Sequence, residues 1–135
     1  MAVVVDTNVI LDIVTDDPKW YQWSKQQIAI HAEKGLIVNP MTYSELCCNA
    51  RSTEEVDSLL ADFGADMVDM PRAALFFASK AHMEYRERGG SRQTGLPDFF
   101  IGAHASVIGV PILTRDTARY KTYFPEVTLI CPENS

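Results

Sequence analysis

The chain has 135 residues, 47% of them hydrophobic, with 18 acidic and 12 basic side chains and a formal net charge of −6. A chain of this size buries about two thirds of its unfolded surface, so one domain spanning 1–135 is expected and disorder is excluded. No apolar run approaches the roughly 20 residues of a membrane span, and the N-terminus lacks the basic and long apolar regions of a secretory signal, so no membrane association and a cytoplasmic location are expected.

Val3-Val4-Val5 reads as a short strand buried on both faces. It runs straight into Asp6, after which Val9, Ile10, Ile13 and Val14 recur at helical spacing as far as Asp16-Asp17-Pro18. Pro18 suits the first turn of a second helix, through Trp20, Trp23, Ile28 and Ile30 to a stop at Lys34-Gly35. Leu36-Ile37-Val38 is a second strand closed by Asn39-Pro40, and Thr42 or Ser44 is expected to cap a helix carrying Glu45, Leu46 and Cys47. Ser52-Thr53-Glu54-Glu55 starts a further helix that continues to Gly64. Asp66 to Asp69 is a weaker strand, and Pro71 opens a long helix that ends by Gly89-Gly90. Gly89 to Gly95 reads as a mobile loop around Ser91, Arg92, Gln93 and Thr94. A helix over Asp98 to Ile108 follows Pro97, then strands at Pro111 to Thr114 and Val127 to Ile130.

Strands alternating with helices through short connections predict an α/β fold: three layers, with a mostly parallel five-stranded sheet flanked by helices. In such sheets ligands sit beyond the carboxyl ends of the strands. Asp6 and Asp116 lie at such ends, Glu45 near the start of the helix after the second strand, and Asp98 at the start of the helix before the fourth. Each acid has an ordinary structural reading: a helix cap for Asp6, a helix-start charge for Asp98, a solvated face for Glu45, a turn for Asp116. Their matching topological positions favour convergence. Two like charges ~4 Å apart repel by about 4 kcal/mol at an effective dielectric near 20, so a cluster requires protons or a cation. All-oxygen donors suit Mg²⁺ or Mn²⁺, and such an ion equips a site to bind phosphate and activate water.

Charge is unevenly spread. Residues 1–70 carry 12 acids and 4 bases, whereas residues 71–135 carry 6 acids and 8 bases, which permits a phosphate-facing surface on an acidic protein. Arg92 and Arg115 are the substrate-binding candidates, although ordinary solvated charges account for either equally well. Cys47, Cys48 and Cys131 lack metal-ligand spacing and are expected to be buried reduced thiols. Asp12 is expected to face solvent or pair locally, His104 to pack in the core, and the Trp20-Tyr21-Trp23 cluster to be buried or to meet a partner.

Asp6-Thr7-Asn8-Val9-Ile10-Leu11-Asp12, Glu45 within Met41 to Leu46, Leu96-Pro97-Asp98 through Ala105, and Leu113-Thr114-Arg115-Asp116 together resemble the four motifs of PIN-domain nucleases, in family order. Size and the ending Tyr123-Phe124-Pro125 look most like the VapC-type toxins of bacterial toxin–antitoxin pairs. The resemblance implies a metal-dependent endoribonuclease. Asp6, Glu45, Asp98 and Asp116 match its catalytic, metal-holding quartet, while Asn8 and Thr114 match supporting polar residues. It also implies Mg²⁺ or Mn²⁺, an RNA substrate, a homodimer and a small antitoxin covering the site, often with a basic side chain. Many relatives carry another acid soon after the fourth motif; Thr117, Ala118 and Arg119 stand here instead, which puts a second bound metal in doubt. A catalytically silent acidic binding module and a structure-specific DNA nuclease using the same quartet are the alternatives.

Overall fold

In a computed structural model, which describes residues 2–90 and 96–132, the three consecutive valines form β1 (Val3–Val5), the centre of the sheet. Its neighbours are β2 (Leu36–Val38) and β4 (Ile112–Leu113), with β3 (Ala65–Met67) and β5 (Leu129–Ile130) at the edges. The order β3-β2-β1-β4-β5 is parallel at every pairing, in the register Val3 with Leu36 and Val5 with Leu113. Successive side chains on a strand point to opposite faces. Val3 and Val5 accordingly enter one core with Val9, Ile10, Leu46 and Leu60, whereas Val4 enters the other with Phe99, Ile101, Tyr120 and Phe124. Two covered faces make the three layers anticipated.

The helices are α1 (Thr7–Val14), α2 (Tyr21–His31), α3 (Pro40–Cys47), α4 (Thr53–Phe63), α5 (Arg72–Glu87), α6 (Leu96–Ile108) and α7 (Ala118–Tyr123). Several starts differ from expectation for identifiable reasons. Asn39, not Thr42 or Ser44, caps α3: its side chain accepts the Thr42 N–H, and Pro40 occupies the first turn. Asp17 holds the N–H groups of Lys19 and Trp20, and that turn delays α2 to Tyr21. The third strand lies one residue earlier than expected, at Ala65, directly after Gly64 turns left-handed (φ 70°) to end α4. The short helix α7 was not anticipated. The cysteines are free but none is buried, with Cys48 exposed, so the expectation of buried thiols is corrected. Arg92 and the loop tip 91–95 lie outside the described residues.

Strand order reverses between β1 and β4: the chain leaves β1 toward β2 and β3 on one side, and β4 leads to β5 on the other. A crevice opens at such a switch point, beyond the carboxyl ends of those two strands. The residues there are Asp6 and the turn Thr114-Arg115-Asp116.

Candidate active site

Asp6 follows β1 directly, and its backbone N–H donates to the Leu113 carbonyl of β4 at 2.9 Å. Sheet pairing therefore fixes where the side chain stands. That side chain is 4% exposed, and three donors converge on its Oδ2: the Thr114 hydroxyl at 2.8 Å, the Tyr120 hydroxyl at 2.8 Å and the Asn8 amide at 3.3 Å. Burial pushes the Asp6 carboxyl up from 3.8 to about 7, helped by the nearby charges of Asp98 and Glu45 and opposed by the two hydroxyls. Tyr120 is 1% exposed, and burial among Asp6, Asp98 and Asp116 raises its phenol well above the usual value. It therefore stays a donor at neutral pH.

Each remaining member of the quartet is positioned by its own element. Asp98 lies in the first turn of α6, half-buried, and its carboxyl is raised by burial and the charge of Asp116 but held down by Arg119. The Arg119 guanidinium on α7 donates to Asp98 Oδ2 at 2.9 Å. Glu45 on α3 accepts the Thr7 hydroxyl at 2.7 Å, and Thr7 and Thr42 bring their hydroxyls within 3.1 Å of each other. Asp116 is exposed; its N–H donates to Thr114 Oγ1 at 3.1 Å, closing the turn after β4. Asp6 thus feels both Asp98 and Glu45, and Asp98 feels Asp116. The structure gathers the four predicted acids on one rim.

Asn8 and Thr114, the expected supporting residues, both donate to Asp6 Oδ2. Arg115 does something else. Its Nε and Nη2 donate to Asp12 at 2.7 and 2.9 Å, and the guanidinium lies 5.7 Å from the Trp20 ring centre. Asp12 is 2% exposed and also accepts the Ser24 hydroxyl at 2.8 Å. The expectation of a solvent-facing or locally paired Asp12 is corrected: its partner stands 103 residues away. Half-buried Trp20 packs edge-on against Trp23 and against that guanidinium, and so ends neither in the core nor wholly free. His104 is fully buried, in keeping with a packing role.

Sequence reasoning missed Tyr120, Arg119 and Thr7. Tyr120 and Arg119 had a signal, since they follow Asp116 at distances that one helical turn brings back toward the strand ends. Among the described residues, no three His, Cys, Asp or Glu side chains stand as they are in an arrangement that could hold a metal ion. The donor chemistry nonetheless fits a hard cation. The quartet itself offers carboxylate oxygens, and a carboxyl raised by burial and further by its neighbours' charges is relieved by positive charge.

The PIN domain family matches residues 3–125. The chain belongs to the PIN-domain family. No curated protein matches it in sequence. The fold of this PIN domain is similar to that of a chain in VapBC2 from Rickettsia felis bound to a fragment of promoter DNA: TM-score 0.72, 18% identity, covering 98% of this chain and 100% of that one. It is similar also to a chain in DNA-bound VapBC from Salmonella typhimurium (0.71, 15%, 97% and 98%) and to one in FitAcB from Neisseria gonorrhoeae (0.68, 16%, 96% and 96%). At these identities the likeness concerns the fold.

Proposed function

We propose that this PIN domain is a metal-dependent endoribonuclease acting as the toxin of a toxin–antitoxin pair. The observation that carries the reading is Asp6: a carboxyl buried at the switch point, raised to about 7, with Asp98 and Glu45 acting on it. Family membership and the VapBC likeness support the same assignment.

Asp6 and Asp98 would hold Mg²⁺ or Mn²⁺, with Glu45 and Asp116 completing its surroundings or orienting the attacking water. Such an ion, when bound, supplies positive charge opposite the scissile phosphate and acidity for that water. The chain's own residues do the positioning. Tyr120 and Thr114 hold Asp6 through Oδ2, and Asn8 braces both Asp6 and Thr114. Thr7 fixes the Glu45 carboxylate from the first turn of α1. Arg115 serves as a clamp on Asp12 rather than as a phosphate contact.

The antitoxin would cover the acidic rim, and the separate apolar groove of about 480 Å³ between α1, α3 and α4, lined by Leu11, Val14, Leu46, Val56 and Leu59, would seat a further part of it. Glu55 and Asp62 at this groove suit a partner with basic side chains. Leu75, Phe76 and Met83 stand exposed on α5, and an apolar surface of that kind supports a homodimer. The same reading gives the toxin a cytoplasmic role; among the described residues no helix is long and apolar enough to cross a membrane.

The deciding experiment compares the chain with its Asp6→Asn and Asp98→Asn forms, expressed in growing cells and incubated purified with labelled RNA or duplex DNA in Mg²⁺ or chelator. Discrete RNA fragments that disappear in both variants and in chelator support the reading. Cleavage of duplex DNA alone points to the DNA nuclease. Growth arrest that survives Asp98→Asn with RNA intact points to a silent binding module.

A further inference from the structure

Arg119 is the cation that the structure itself places among the carboxylates. Its Nη1 donates to Asp98 Oδ2 at 2.9 Å, its Nη2 lies 3.3 Å from the Tyr85 hydroxyl, and its guanidinium carbon stands 5.2 Å from the centre of the Tyr85 ring. One carboxylate, one hydroxyl and one aromatic face fix the planar group from α6 and α5. The side chain is nevertheless 31% exposed. An arginine has five donors in a rigid fork, of which these contacts use one on Asp98 and one toward Tyr85. With its remaining donors unengaged among the described residues, the guanidinium is suited to grip a phosphate by a second edge.

The charge balance points the same way. Asp6, Glu45, Asp98 and Asp116 supply four formal negative charges, and Arg119 already offsets one at Asp98. With Arg119 on Oδ2, only the other oxygen of Asp98 stays open to an ion, and a single divalent ion shared with Asp6 would fill it.

We propose that Arg119 is the second cation of this centre: it stays on Asp98 in place of a second divalent ion and binds a phosphate of the RNA strand with its open edge. This rests on the nuclease reading above and assigns Arg119 a substrate contact within it. Arg115, which also commits two donors and is 29% exposed, is held on buried Asp12 rather than on a carboxylate of the quartet.

The test uses the full chain with a short fluorescent single-stranded RNA in Ca²⁺, with affinity measured against salt concentration. Arg119→Gln keeps a polar side chain but removes the charge and the two-pronged guanidinium. It should weaken binding about tenfold and reduce the log–log salt slope by about 0.7, the contribution of one phosphate contact on a single strand. Arg119→Lys should restore most of the slope, and Lys80→Gln, a charge change on α5 away from the site, should leave it unaltered. Calorimetry with Mn²⁺ alone should find one ion per unsubstituted chain. Two ions per chain, or a slope unchanged in Arg119→Gln whose circular dichroism matches the parent, overturns the proposal while the nuclease reading stands. No salt-dependent RNA binding by the unsubstituted chain overturns both.

Discussion

Replacing Asp6 by Asn is expected to stabilise the metal-free protein while abolishing the RNA cleavage proposed above. The carboxyl is 4% exposed, so solvent screens it little, and it stands at about 7 against 3.8 for the free side chain. Between those values the folded chain keeps a proton that the unfolded chain has released, so stability falls as pH rises through the window. A shift of about three units at ~1.36 kcal/mol each amounts to about 4 kcal/mol of destabilisation above pH 8. Asn cannot ionise, and its carbonyl oxygen can still accept from Tyr120 and Thr114. Its amide must find an acceptor among the neighbouring carboxylates, which returns about 1 kcal/mol. Urea unfolding in EDTA, followed by tryptophan fluorescence at constant ionic strength, should therefore find Asp6→Asn more stable by about 2–4 kcal/mol at pH 8. Most of that advantage should be gone at pH 5. A difference of the same size at both pH values, or a variant less stable at pH 8, would refute the reasoning.

Arg115→Met strands the carboxylate of Asp12, which is 2% exposed, with only the Ser24 hydroxyl for company. The expected loss is about 3 kcal/mol, discounted from the full buried-pair range because the Arg115 side chain is 29% exposed. Adding Asp12→Leu should recover most of it in denaturant titrations. His104 is fully buried, and neither ring nitrogen meets a partner among the described residues. His104→Leu should stabilise the fold by about 1–2 kcal/mol. Burial holds the His104 imidazolium below 6.5, so the unfolded chain takes up the extra proton and stability drops as pH falls beneath that value. The Leu variant should show a smaller drop in melting temperature between pH 7 and pH 5. Gly102→Ala would drive a methyl group into the ring of Phe124, which is 1% exposed and has nowhere to move. A loss of about 1–3 kcal/mol in thermal unfolding is expected.

The acidic rim was legible in the sequence because it depends on topology. A buried strand ending in an acid places that acid at the sheet's carboxyl edge, and Asp6 and Asp116 follow from that rule alone. What holds Asp6 was harder to see. Tyr120 and Arg119 sit on α7, only six residues long, and a single turn with polar outward positions carries too little periodicity to separate from a loop. Asp12 was judged from positions along its own helix, whereas its partner Arg115 arrives on the far side of the switch point. The α3 cap was misplaced although Asn39-Pro40 carried the signal, since two later hydroxyl residues competed for the role.

Two of the three side-chain donors to Asp6, Thr114 and Tyr120, come from the last quarter of this sequence, as does the Arg115 clamp on Asp12. During synthesis Asp6 leaves the ribosome well before those residues, and domains close only when such distant segments meet. A nascent chain therefore carries its acids without the scaffold that orders them. The acidic centre takes shape only once Tyr120 has emerged, so under the proposed nuclease function a copy stopped before Thr114 should leave RNA intact.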